Sequence, residues 1–143
     1  SVFGGDNNRV VAILGDAMLE RHALVVDDLP SKREYLRHRT AVELPRGTII
    51  DTAATTAQAF ALMAERRYAY AVVDYDIDAR NGADVIRELR RRSPHARVTL
   101  ATARTEGGSF EEAEADAMVA GADVALSTYS ENFEQDFSAS LAA

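Results

Sequence analysis

Short runs of uninterrupted apolar residues alternate along the chain with longer stretches in which apolar positions recur every three or four residues. Ala23-Leu24-Val25-Val26 is apolar at every position, which suits a strand covered on both faces of a parallel sheet. Pro30 opens a helix predicted over residues 31–43, because proline is tolerated in the first turn, and Pro45 with Gly47 ends it. A second strand is predicted at 48–51. Thr55 and Gln58 then have the spacing of a capping box for a helix running to Arg66, whose Ala57, Phe60, Met63 and Ala64 form the apolar stripe. Residues 70–73 form a third strand that ends at Asp74, and Gly82 precedes a helix with Val85, Ile86 and Leu89 on one face. The fourth strand is predicted at 98–101, closing on Thr102. Ser109 and Glu112 suggest another capping box, leading a helix to about Ala120. Residues 123–126 make a fifth strand, and the four-residue spacing of Phe133, Phe137 and Leu141 marks a last helix.

Strand–helix alternation repeated five times predicts an α/β domain, a doubly wound (βα)5 unit with a five-stranded parallel sheet and helices on both faces. The expected domain occupies residues 21–143. Residues 1–20 are read as a linker or accessory segment of a larger protein: the opening Ser-Val-Phe-Gly-Gly-Asp-Asn-Asn is turn-like. Arg9 to Glu20, with its apolar run from Val10 to Leu14 and Gly15, admits either an extra strand or a linker helix.

Composition narrows the setting. A chain of 143 residues, 47% hydrophobic and 27% charged, can bury one real core but not two of ordinary size. It has no cysteine, which excludes disulfides and thiolate metal sites. No apolar stretch reaches the length of a membrane span and no signal-peptide pattern is present, so a cytoplasmic setting without membrane contact is expected. The net charge of −7, from 23 acidic and 16 basic side chains, disfavours nucleic-acid binding, which needs clustered cations to displace counterions.

The strand ends carry the candidate chemistry. In open parallel sheets ligands bind beyond the carboxyl ends of the strands, near the point where strand order reverses. Asp27-Asp28, Asp74 and Thr102 each follow a different strand, so they should converge. Gathered carboxylates repel one another unless a cation sits among them, and Mg²⁺ suits an oxygen-rich set of one or two carboxylates with water and phosphate oxygens. The plainer alternative for each Asp is a helix or turn cap.

These residues resemble a known family over about residues 22–141: the receiver domains of bacterial response regulators and hybrid histidine kinases. Leu24-Val25-Val26-Asp27-Asp28 resembles the family's first strand and acidic pair. Val72-Val73-Asp74 with Gly82 resembles the phosphoacceptor strand and the loop after it. Thr102-Ala103 resembles the Thr/Ser-Ala step after the fourth strand, and Ala120-Gly121-Ala122-Asp123 the segment before the fifth. The resemblance implies a flavodoxin-like fold and a phosphoryl group accepted on Asp74 from a histidine kinase or phosphotransfer protein. It also implies Mg²⁺ ligated by Asp28 and Asp74, by Asp27 through water, and by the Asp76 backbone carbonyl. Thr102 would donate a hydrogen bond to the phosphoryl group, and adjacent domains of the parent chain would receive the signal.

The family pattern is broken in places. The lysine usual at the end of the fifth strand is Thr128, followed by Tyr129 in place of proline, and Lys32 in the first helix is the only lysine of the chain. A hydroxyl can donate a hydrogen bond but supplies no charge. Ala125 replaces the usual aromatic of the fifth strand, Asp78 replaces a proline after the acceptor, and the segment from Thr102 to Gly121, with Gly107-Gly108, carries extra residues. Arg104 or Arg80 is a candidate replacement for the lysine, the plainer reading being that both are solvated loop residues. Arg87, Arg90, Arg91 and Arg92 read as a solvated helix end facing the negative pole of the helix dipole. His22, His38 and His95 lack metal-ligand spacing, and Tyr129 reads as a packing residue or, alternatively, a surface aromatic at a partner site. Two functions therefore compete: a phosphorylatable receiver, and a pseudo-receiver that signals through protein contacts alone. A haloacid-dehalogenase-like phosphatase is discounted, because Asp74-Tyr75-Asp76 follows the third strand rather than the first.

Overall fold

The computed structural model describes residues 21–105 and 107–142; the two readings offered for residues 9–20 lie outside them. Five strands, β1 (His22–Val26), β2 (Ile49–Ala53), β3 (Tyr70–Val73), β4 (Arg97–Thr102) and β5 (Val124–Ser127), form one sheet in the order β2-β1-β3-β4-β5. Every pairing is parallel. Five helices connect and finish them: α1 (Pro30–Glu43), α2 (Thr56–Glu65), α3 (Gly82–Arg92), α4 (Ser109–Ala120) and α5 (Phe133–Ala142). The expected doubly wound sheet, flavodoxin-like in strand order, is the one observed.

Strand periodicity divides the core in two. Leu24 and Val26 of β1 face one side with Ala71 and Val73 of β3, and pack under Ala59 and Met63 of α2, Val85, Ile86 and Leu89 of α3, and Ala113 and Ala117 of α4. Ala23, Val25 and Val72 face the other side, against Leu36 of α1 and Phe133, Phe137 and Leu141 of α5. Phe137 is fully buried beside Phe133, their ring centroids 5.5 Å apart, and burial of such a side chain contributes about 1.5–3 kcal/mol.

Two cap assignments differ in outcome. Thr55 does cap α2, accepting from the Gln58 N–H at 3.1 Å, and Gln58 reaches back one residue further than a capping box requires, to the Ala54 N–H. At α4 the expected Ser109–Glu112 box is not formed. Ser109 is already helical, and the Glu111 carboxylate takes up the N–H groups of Gly107 and Gly108 instead. The helix begins one residue earlier than a Ser109 cap would require, so the acidic side chain that meets the free N–H groups is Glu111.

The order of strands places β1 and β3 side by side at the centre, with the chain departing in opposite directions after each. That is the switch point, and the acidic residues stand at its carboxyl edge.

Candidate functional site

Asp27 follows β1 directly and is fully buried. It is held from four sides. Its backbone N–H donates to Ala53 O at 3.0 Å, its carbonyl accepts from Arg33 at 3.0 Å, its Oδ1 accepts the Leu29 N–H at 3.0 Å, and its Oδ2 accepts from Lys32 Nζ at 2.5 Å. Asp74 follows β3, 6% exposed, its N–H bonded to Val26 O and its Oδ1 accepting the Tyr75 N–H at 2.7 Å. Asp28 is exposed at the mouth. One carboxylate oxygen from each of Asp27, Asp28 and Asp74 lies within 4.8 Å of the others, so the expected convergence is met.

Lys32 stands among them. From the first turn of α1 its ammonium donates to Asp27 Oδ2 and, at 2.9 Å, to the carbonyl of Ala101 in β4, and it lies 3.4 Å from Asp74 Oδ2. Side chains of an α-helix lean toward its amino end. Because α1 starts at the same sheet edge as Asp27, a first-turn lysine points back over the pocket. The signal in the sequence was the position of the only lysine two residues past Pro30; periodicity alone does not give it a direction.

Burial pushes the Asp74 carboxyl above its usual range; Lys32 opposes this and the Asp27 charge adds to it. Thr102, at the end of β4, is fully buried. Its hydroxyl is near enough to favour the Asp74 carboxylate but closes no hydrogen bond of proper geometry, leaving a buried polar atom without a partner. Such atoms are costly unless something completes them. Three carboxylates against one ammonium leave the pocket two negative charges in excess. A divalent cation with oxygen preference fits that donor set.

The neighbouring acids are already committed. Asp76 is pinned by Arg104 through two bonds of 2.8 Å, which hold its carboxyl below the usual range. Arg104 also lies 4.8 Å from the Tyr75 ring centroid and donates to Ser109 O. It is therefore a placed residue joining the loop after β3 to the β4–α4 loop, and the reading of it as solvated is corrected. Asp78, which stands where the family usually has a proline, receives the Thr56 N–H at 2.9 Å and the Thr56 hydroxyl at the start of α2. Arg80 lies 3.6 Å from Asp84 and over the Phe60 ring, away from Asp74.

Thr128 stands next to Thr102, its N–H donating to the Thr102 carbonyl at 3.0 Å. The preceding Ser127 hydroxyl donates to Arg104 O at 2.6 Å, tying β5 to the β4–α4 loop. Tyr129 is 66% exposed, which rules out a packing role and leaves the surface aromatic. Gly82 has a steric role: a Cβ there would lie 2.1 Å from the Asp74 carbonyl oxygen, so only glycine lets α3 start this close to Asp74.

Residues 23–128 match the response regulator receiver domain family. The chain belongs to that family. Among curated relatives it is 35% identical over 83 residues to the photosynthetic apparatus regulatory protein RegA of Cereibacter sphaeroides, a match covering 58% of this chain and 44% of that protein. The RegA of Rhodobacter capsulatus is 32% identical over a stretch of the same length. The matched stretch thus spans less than half of those relatives.

Solved structures share the fold. A CheY-like receiver domain from Methanospirillum hungatei superposes with a TM-score of 0.69 at 17% identity, covering 86% of this chain and 94% of its own. TrrA of Thermotoga maritima, solved in complex with Mg²⁺-BeF, gives 0.64 at 24% identity, covering 86% and 99%. A Burkholderia pseudomallei response regulator with a phosphorylated aspartic acid, calcium ion and citrate gives 0.66 at 22% identity, covering 85% and 66%. Among the described residues, no helix is long and apolar enough to cross a membrane.

Proposed function

We propose that this receiver domain accepts a phosphoryl group on Asp74 with Mg²⁺ as cofactor, and passes or reports that state to a linked or partner domain. The observation that carries the reading is the pocket itself. Two carboxylates, of Asp27 and Asp28, converge on the buried Asp74 with two negative charges in excess over Lys32, and a buried hydroxyl beside them lacks a partner. Asp27, Asp28 and Asp74, with the Asp76 carbonyl, would hold the ion, whose chemistry when bound is to neutralise and align phosphoryl oxygens.

An Asp74 carboxylate oxygen attacks the phosphorus of a phosphohistidine. The new O–P bond forms as the P–N bond breaks, and the electron pair leaves with the imidazole. Tyr75 N–H holds Asp74 Oδ1 at 2.7 Å, fixing the direction of attack. Thr102, unpartnered beforehand, donates to a phosphoryl oxygen afterwards. The donor is a histidine kinase or phosphotransfer protein, the setting cytoplasmic, and neither nucleic acid nor membrane is contacted by this domain.

The pseudo-receiver alternative has one observation in its favour. Ala125 packs half-buried against the core where an aromatic switch residue is usual. Intact-mass measurement after incubation with acetyl phosphate and Mg²⁺ separates the two. One added phosphoryl group, lost in Asp74→Asn, supports the receiver. No added mass and no beryllofluoride-dependent NMR shift near Asp74 supports the pseudo-receiver.

A further inference from the structure

We propose that Lys32, on α1, is the residue that pairs with the phosphoryl group, replacing the lysine that β5 lacks. This rests on the reading of Asp74 as acceptor and adds the positioning cation that the reading leaves unnamed.

The geometry supports the assignment step by step. An ammonium has three donors. Lys32 uses two of them, on Asp27 Oδ2 after β1 at 2.5 Å and on Ala101 O in β4 at 2.9 Å, and its ammonium lies 3.4 Å from Asp74 Oδ2 after β3 as an ion pair. The contact with Asp74 is the longest of the three and is an ion pair, so the ammonium is anchored on Asp27 and Ala101 and keeps a third donor uncommitted beside the acceptor oxygen. A phosphoryl group on that oxygen brings its own oxygens within reach of the same donor without moving the anchors.

The other cations nearby are committed elsewhere. Arg104 is bidentate on Asp76, Arg33 donates to the Asp27 carbonyl, and Arg80 pairs with Asp84. A purely structural role, as the partner of buried Asp27, would account for one of the three contacts. It would not account for a side chain only 11% exposed whose ammonium is drawn between two carboxylates and a β4 carbonyl. In the transfer, Lys32 keeps its proton throughout. It donates a hydrogen bond to a non-bridging oxygen while the O–P bond forms and the donor's P–N bond breaks, so its contribution is charge and position.

The position has a consequence of opposite sign for the two ligands. An ammonium beside the carboxylates repels Mg²⁺ and attracts the phosphoryl group or its analogue beryllofluoride. On the full 143-residue chain, Lys32→Met keeps the aliphatic stem and removes the charge. At saturating Mg²⁺, beryllofluoride affinity followed by ¹⁹F NMR should fall by roughly tenfold or more, while Mg²⁺ affinity without beryllofluoride stays equal or tightens. Unchanged beryllofluoride affinity overturns the proposal, as does a parallel weakening of both ligands, which marks a general loss of structure.

The unmodified protein supplies a second measurement. Lys32 is its only lysine, so its ¹⁵Nζ resonance is unambiguous. That resonance should shift when beryllofluoride is added to the Mg²⁺-loaded protein; binding without such a shift sinks the assignment. Wild-type protein that neither binds beryllofluoride nor takes up phosphate defeats the acceptor reading itself, a result distinct from a difference between wild type and variant.

Discussion

Arg90 and Lys32 are both long cations at the rim of the same sheet, yet their surroundings differ in kind. At the amino edge Arg90 donates to the carbonyls of Gly121 at 2.8 Å, Pro94 at 3.1 Å and Ala96 at 2.5 Å, and to Asp123 Oδ2 at 2.8 Å. Each of the three guanidinium nitrogens donates to an acceptor, and Asp123 in turn accepts the Val98 N–H. This network is closed. The reading of Arg90 as part of a solvated helix end is corrected with it, while Arg87 and Arg91 of the same helix are exposed and paired with Asp84 and Glu88. At the carboxyl edge, Lys32 faces more negative charge than it can neutralise, and Thr102 keeps an unpartnered hydroxyl. A closed polar network holds elements together. An incomplete one is completed by a ligand, and that distinction separates scaffold from site.

If the contrast holds, the two regions respond oppositely to substitution. Arg90→Ala leaves three carbonyls and a carboxylate short of a donor and should cost about 2 kcal/mol in urea unfolding, with acetyl-phosphate uptake per folded molecule unchanged. A matching loss of phosphate uptake would mean that the two edges are coupled. Gly82→Ala drives a Cβ into the Asp74 backbone and should cost about 1–3 kcal/mol; here phosphorylation slows as well, because the acceptor itself is displaced. Stability loss with unaltered phosphorylation would show that α3, not β3, yields.

Thr128→Lys is gentler. With Lys32 present, beryllofluoride affinity should change by less than about threefold; in a Lys32→Met background it should recover most of the roughly tenfold loss. A large gain in the otherwise unmodified chain would reveal that the pocket still lacked a cation. The smallest effect belongs to Glu88, whose carboxyl is lowered to about 2 by hydrogen bonds from Arg91 and Arg92. A depressed carboxyl contributes stability above its unfolded range, and that contribution is lost as pH falls toward about 2. Glu88→Gln should therefore melt slightly lower at neutral pH, with the difference closing in acid. A constant gap across that window would assign the effect to helix propensity instead.

Much of the site was legible before the fold was known. A strand that is apolar on every residue and then stops at an acid must present that acid at an edge, which located Asp27, Asp28 and Asp74. Thr102 followed from the same argument. Asp78 and Arg104 were less readable, since each is a loop residue whose direction depends on a distant partner: Thr56 across 22 residues, Asp76 across 28. Tyr129 illustrates the same limit, because an aromatic two residues past a strand can turn inward or out.

The sequence by itself determined the five strand–helix units, the two core faces and the acids at the strand ends, because burial on a regular backbone imposes a period that the chain must carry. Only the tertiary structure decided which cations serve those acids. Lysine and arginine reach across several ångströms of flexible stem, and where the charge arrives depends on where the helix carrying it is set against the sheet. Thus Thr128 marked the lysine missing from β5, and the packing of α1 over β1 placed Lys32 between Asp27 and Asp74.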